Sequence, residues 1–244
     1  MQTGEDNYGI AEIMIVAMAR LLRNGETVFH GVASVLPMLA ILLARRLHAP
    51  SLVYLNIPGG VDGQPDTLPA SSVGFQLHRQ AAAFFSLTEI FDLSARGRLD
   101  TAFLSGAQID QEGNINLSVI GPFHTPRVRL PGGAGSAVIL PTARRTILWR
   151  TVHNRRTFVE RCQFVTAAGR VDRVVTPLCV FRKRQGRLEL ESVHPTSSVH
   201  EVVEQTGFPL AVPEEVTVTP APTAEELEIL NTLDPRRVRD LEFQ

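Results

Sequence analysis

Three short stretches carry residues whose types and spacing suit chemistry. In SLVYLNIPGGVDG (51–63), the apolar run Leu52, Val53, Tyr54, Leu55 ends at Asn56 and breaks at Pro58-Gly59-Gly60. A buried strand ending in a glycine turn is a common place for an α/β protein to present a nucleophile or hold a ligand. From Asn56 to Gly63 there is no Ser, Cys, Lys or Glu. Tyr54 and Asn56 are the candidates to face a substrate there, and Asn56 could hydrogen-bond a carbonyl but not attack as a carboxylate does. In FLSGAQIDQEGNINLSVIG (103–121), a strand runs into Ser105-Gly106-Ala107-Gln108. Small residues let backbone N–H groups approach a ligand closely, and two such donors could hold an oxyanion, with the Gln108 amide beside them. The same residues also read as a plain hairpin that turns over Asp110–Asn114, with Asn114–Ile120 alternating as a strand. In LPGGAGS (130–136), Gly132, Gly133 and Gly135 offer free amides that suit phosphate, pyrophosphate or a thioester oxygen. A glycine turn before a strand over Ser136–Leu140 is the equal alternative, since neither a Walker loop nor GxGxxG is present. His124, in PFHTPR, lies between these stretches with Arg127 and Arg129 beside it; these could meet an anion or simply solvate a loop.

Other chemistries are disfavoured. The seven histidines show no metal-ligand spacing, so no metal is expected. Of the 24 basic residues one is lysine, Lys183, in a hairpin-tip sequence FRKRQGR, where a desolvated Schiff-base amine is not expected. Cys162 and Cys179 sit in apolar, strand-like surroundings and read as free buried thiols.

These stretches need a scaffold, and the first half of the chain supplies its pattern. Ile10–Arg23 carries a helical apolar stripe, Thr27–Val32 reads as a strand, Leu36–Leu47 as a helix and Ser51–Asn56 as a strand. Residues 57–74 form a long Gly/Pro/Asp/Ser loop. Ser86-Leu-Thr-Glu89 is a capping box that opens a helix to about Ala95, and Thr101–Ser105 is a strand. Such a β-α-β-α-β rhythm predicts a parallel sheet, with Asn56 and Ser105 on its ligand-binding edge. Further on, Thr146–Val152, Phe158–Thr166, Arg173–Phe181 and Arg187–Val193 read as strands of a mixed sheet. Helices are predicted at Ser197–Gln205 and, behind the capping box Thr223-Ala-Glu-Glu226, over Thr223–Leu233. The fold class is therefore α/β: an open, mostly parallel sheet flanked by helices. It reads as a single domain over 1–244 with a helical tail from about 209, entered by the proline-rich PLAVPEEVTVTPAP. The net charge of −1 gives no general attraction to nucleic acid or a membrane surface. The longest apolar stretches are too short to span a bilayer, and MQTGEDNYG is unlike a signal peptide, so a cytoplasmic protein is expected.

Four ordered blocks carry a resemblance to a known family: GRLDTAFLSGAQIDQEGNINLSVIG, PRVRLPGGAGSA, RTILWRTVHNRRTFVERCQFVTAAG and ESVHPTSSVHEVVEQTGF. Together the chain resembles the β subunit of class I CoA-transferases over about residues 10 to 233. The resemblance implies an open CoA-transferase-type α/β fold and an obligate α subunit of similar fold, often as α2β2, with the active site between subunits. It implies coenzyme A as part of the substrate and no other cofactor. In the glutaconate-type branch a catalytic glutamate stands at the strand end that here reads Leu55-Asn56-Ile57, so the nucleophile of the transferase route is missing. A branch without this glutamate, the two-subunit hydrolase that opens the last ring in steroid breakdown, is similar. It implies water-dependent C–C cleavage of a cyclic keto acyl-CoA in cholesterol catabolism, with the catalytic carboxylate on the α subunit. This chain would then supply pocket walls, oxyanion donors around Ser105–Gln108 and glycine contacts near Gly132–Gly135. The competing readings are an ordinary CoA-transferase subunit with its nucleophile elsewhere, a non-catalytic structural subunit, and a sugar-phosphate isomerase of related fold.

Overall fold

The computed structural model describes residues 8–243, so the acidic stretch at 1–7 lies outside the described residues. Helix α1 (Ile10–Arg20) leads into β1 (Thr27–His30), α2 (Val35–Leu47) and β2 (Val53–Leu55). Two short strands, β3 (Gly60–Val61) and β4 (Ala83–Phe84), flank a 3-10 turn over Phe75–His78; α3 (Leu87–Ala95) then returns the chain to β5 (Thr101–Leu104). Four small strands follow: β6 (Gln108–Asp110), β7 (Ile115–Asn116), β8 (Val119–Ile120) and β9 (Val128–Arg129). After α4 (Ser136–Thr142) come β10 (Arg145–Trp149), β11 (Phe158–Val159), β12 (Val171–Val175), β13 (Cys179–Arg184) and β14 (Arg187–Val193). Helix α5 (Val199–Gln205), β15 (Thr217–Val218), α6 (Ala224–Leu233) and a 3-10 segment over Val238–Phe243 end the described chain.

The main sheet has the order β15-β14-β13-β12-β10-β5-β1-β2-β3-β4. Its centre, β12-β10-β5-β1-β2, is parallel, and antiparallel pairs extend it on both sides. Along each central strand neighbouring residues point to opposite layers. Val28, Tyr54, Phe103, Ile147 and Val175 pack under α1, α2 and α6; Phe29, Leu55, Leu104, Leu148 and Val174 pack under α3 and α4. Both faces are buried, so these strands read as unbroken apolar runs rather than as alternating ones. From β1 the chain steps to β2 on one side and then crosses back to β5 on the other. The carboxyl ends of β1 and β5 therefore flank a topological switch point, where open α/β sheets bind ligands.

Both capping boxes form: Ser86 accepts from the Glu89 amide and Thr223 from the Glu226 amide, with each glutamate reaching back. Four sequence expectations are corrected. Ser136–Leu140 is helical within α4, because the run is too short for its period to separate a strand from a buried helical turn. The expected strand Arg173–Phe181 is two antiparallel strands, β12 and β13, joined at Thr176–Leu178. Phe158–Thr166 pairs only at Phe158–Val159, and Asn114–Ile120 is broken between β7 and β8. The two cysteines are free and buried, as expected, and burial pushes both thiols up. Among the described residues no helix is long and apolar enough to cross a membrane.

Candidate active site

A cavity of about 660 Å³ opens at the carboxyl ends of β1, β5 and β10. Phe29, Gly31 and Ser34 wall it from the β1–α2 junction, Leu104 and Ser105 from β5, and Trp149, Arg150 and Thr151 from β10. The loop Pro131–Gly135 closes one side; Phe91 and Ile139 bring apolar surface from α3 and α4, and Glu242 enters from the C-terminal segment. Two alanines on this wall, Ala33 (φ 47°) and Ala134 (φ 43°), hold the left-handed conformation. Each costs about 1 kcal/mol or more, and such strain clusters at ligand sites.

Four of the expected site residues meet here: Ser105, Gly132, Gly133 and Gly135. The Ser105 hydroxyl donates to the Trp149 carbonyl at 2.8 Å, so it ties β5 to β10. The Gly132 amide is also spent, on Leu117 O at 2.7 Å. A Cβ at Gly133 would stand 2.6 Å from Thr166 Cγ2, and one at Gly135 2.8 Å from the Phe91 ring, so close packing explains both glycines.

The other candidates lie off the wall. Tyr54 points to the opposite face of the sheet, where it is fully buried and 2.6 Å from His30 Nε2. His30 Nδ1 lies 2.8 Å from Gly31 O, which only accepts, so Nε2 is the acceptor and Tyr54 donates. Burial lowers His30 to about 4 and pushes Tyr54 up, so this pair is a neutral core contact. Asn56 is fully buried, donating to Leu77 O at 2.8 Å and accepting from the Gly60 amide at 2.8 Å. Gln108 Oε1 accepts from Asn116 Nδ2 at 2.8 Å inside the β6–β7 hairpin. Gly106 serves the same hairpin, since its Cβ would lie 2.8 Å from Gln108 O and 2.9 Å from Ile115 Cβ. His124 is exposed and packs edge-on against Phe123. Packing requires the glycines of the opening turn: a Cβ at Gly59 would stand 2.2 Å from Phe85 O, and one at Gly63 1.9 Å from Leu77 O.

The charged groups that do reach the cavity, Arg150 and Glu242, were not among the expected residues. Arg150 had a signal, as a charged residue ending the apolar strand ILW at the ligand-binding edge. Glu242 had none, because its segment has no apolar period. Glu242 accepts from the Val35 amide at the start of α2 at 2.8 Å. Burial raises its carboxyl above the usual range, against the opposing pull of that hydrogen bond and of Arg150. Burial lowers the Arg150 guanidinium, with Glu242 opposing. Arg150 Nε and the Trp149 indole N–H are both buried without a partner among the described residues, the indole in the core layer beyond the sheet. A ligand oxygen could take the Arg150 donor; left unmet, it costs about 1–3 kcal/mol. The cavity thus offers an apolar body with one acid and one cation.

The sequence pattern of the Coenzyme A transferase family matches residues 11–205. The chain belongs to this family. It is 34% identical over 248 residues to one of the subunits of the 3-oxoadipate CoA-transferase of Pseudomonas knackmussii, covering 94% of each chain. Among solved structures, a chain of the decarboxylase AibA/AibB superposes with a TM-score of 0.90 at 34% identity, covering 95% of this chain and 97% of that one. A chain of IpdAB from Rhodococcus jostii RHA1 superposes with a TM-score of 0.84 at 26% identity, covering 97% and 98%. The IpdB subunit of that organism is named a cholesterol ring-cleaving hydrolase and is 27% identical over 252 residues, covering 95% of each chain. The α/β fold expected from the resemblance is the fold of these enzymes.

Proposed function

We propose that this chain is the β subunit of a two-subunit, α2β2-type acyl-CoA enzyme that breaks a carbon–carbon bond, rather than one that moves CoA between acids. The observation that carries this reading is Asn56. It stands at the strand end where the transferase route needs a carboxylate, and both ends of its amide are engaged inside the protein. A side chain so held cannot form an acyl anhydride or an enzyme–CoA thioester. Coenzyme A enters as part of the substrate, and the α subunit supplies further catalytic groups.

Two chemistries share this requirement. Ring-opening hydrolysis of a steroid-derived cyclic keto acyl-CoA is supported by the likeness to IpdAB. Decarboxylation is supported by the likeness to AibA/AibB and by the apolar lining of the cavity, since a carboxylate stripped of water loses carbon dioxide more readily. Both leave a carbanion stabilised by the thioester carbonyl, directly or through one double bond, and the cavity falls in the size range of small-molecule sites. The likeness to a 3-oxoadipate CoA-transferase favours transfer as the second reading.

The test is an assay of the chain co-expressed with its α partner in 18O-labelled water. Two probes are supplied, a cyclic 2-oxocycloalkane-carboxyl-CoA and glutaconyl-CoA, each with and without acetate. Label in a new carboxylate, or release of carbon dioxide, with the thioester retained supports C–C cleavage. Movement of CoA onto acetate sinks it.

A further inference from the structure

We propose that Glu242 is the proton donor of this site, handing its proton to the carbanion left when the C–C bond breaks; the inference rests on the C–C-cleavage reading above. The geometry places a carboxyl group inside the cavity on this chain's own C-terminal segment. Its position is fixed from both ends. On one side Oε1 is held by the Val35 amide. On the other, three residues earlier, Arg239 is fully buried and fastens the segment: Nε donates to Glu12 Oε1 at 2.7 Å, and the terminal nitrogens to Asn231 Oδ1 at 2.7 Å and Asp234 Oδ2 at 3.2 Å. Such an anchor, built from three side chains on α1 and the α6 end, exceeds what a loose surface segment needs.

Only Oε1 is held by the Val35 amide, which leaves Oε2 to carry the proton. Arg150, across the cavity, is the charged group that faces it, and its unpartnered Nε–H stands ready to stabilise negative charge. The raised carboxyl suits an acid that keeps its proton until substrate needs it. In decarboxylation the scissile C–C pair moves into the thioester as an enolate, through the intervening double bond where there is one, and carbon dioxide departs. In hydrolysis water first adds to the ring carbonyl, giving one proton to a base of the α subunit, and collapse of the adduct moves the C–C pair into the thioester enolate while the new carboxyl stays on the same molecule. The Glu242 O–H bond breaks and a C–H bond forms at the enolate carbon. Glu242 is left as a carboxylate opposite Arg150, and water reprotonates it.

The experiment uses the αβ complex carrying Glu242→Gln, whose side-chain oxygen still accepts from Val35, and Glu242→Asp as a second variant. It measures exchange of carbon-bound hydrogen of crotonyl-CoA and pimeloyl-CoA with D2O by mass spectrometry, alongside turnover of the two cleavage probes. The expected result is exchange by the wild type, with exchange and kcat both lowered about 100-fold or more in Glu242→Gln at little-changed KM, and partial recovery in Glu242→Asp. The alkaline fall of kcat in the wild type should also vanish in Glu242→Gln. Cleavage and exchange at wild-type rates in Glu242→Gln would overturn the inference and leave the C–C-cleavage reading standing. Absence of exchange in the wild type would overturn it as well. CoA transfer in place of cleavage would overturn the reading itself, and the proton-donor role with it.

Discussion

Asn56 and Gly60 are bonded to each other twice: the Asn56 backbone amide donates to Gly60 O at 3.0 Å, and the Gly60 amide donates to Asn56 Oδ1 at 2.8 Å. The remaining donor, Nδ2, goes to Leu77 O. Replacing Asn56 by Asp keeps the shape and the Gly60 bond but sets a carboxylate oxygen against the Leu77 carbonyl. The co-expressed complex should lose about 1–3 kcal/mol of stability near pH 7. Part of that loss should return in acid, where a protonated Asp can donate to Leu77 O. Thermal melts across pH check this. Incubation with acyl-CoA should give no enzyme–CoA thioester on Asn56→Asp, since the Gly60 amide still holds the side chain in place; a CoA adduct at that residue in peptide mass spectra would show that the side chain reaches substrate.

Arg239 joins the C-terminal segment to the body of the fold through Glu12 and Asp234, both themselves buried. Removing one partner of a buried charge network leaves the others uncompensated, at about 3–5 kcal/mol. Arg239→Ala should therefore lower the guanidinium midpoint of the complex and let carboxypeptidase release the last residues. It should also lower activity, because Glu242 loses its mooring. An unchanged midpoint together with unchanged protease resistance would mean that the segment is held by other contacts.

What could be read in advance follows from how local each signal is. The parallel core was legible because both faces of β1, β2, β5 and β10 are buried, and the helices between them carry apolar stripes. The capping boxes at Ser86 and Thr223 were legible because they need only four residues. Helix α4 was not, since five apolar residues fit a strand and a helical turn equally. At the candidate site, Ser105 was placed because it follows a strand end at the ligand-binding edge of the sheet, and the glycine loop because three glycines in four residues stand out in the sequence alone. Tyr54 was misplaced by parity: Leu55, its neighbour, packs on the cavity's side of the sheet and Tyr54 packs on the other. Asn56 gave no sign of its partner, because Leu77 comes beside it only after a 21-residue excursion closes. Glu242 reaches the cavity only once Arg239, Glu12 and Asp234 have met, and no window of sequence contains all of them.

Three buried histidines make stability sensitive to mild acid. Burial lowers His30 and His194 to about 4 and His153 to about 3, from an ordinary value near 6.5. His194 also sits close enough to lower His153 further. Each ring is neutral and hydrogen-bonded inside the protein: His194 contacts Thr176 O at 2.8 Å and Thr219 Oγ1 at 3.0 Å, and His153 contacts Thr176 Oγ1 at 2.9 Å and Thr206 Oγ1 at 3.1 Å. Below pH 6.5 the unfolded chain takes up protons that the folded chain refuses. The stabilisation is thus complete above about pH 6.5 and is lost as pH falls through about 4 for His30 and His194 and about 3 for His153. Each histidine contributes up to about 1.4 kcal/mol per pH unit inside that window. Guanidinium midpoints of the complex from pH 7.5 to 4.5 should fall steeply below 6.5. In His194→Gln, whose amide can still donate to Thr176 O, the slope should flatten by about one proton while stability at pH 7.5 drops by about 1–3 kcal/mol. Midpoints that stay level down to pH 5 would mean that these rings accept protons in the folded state.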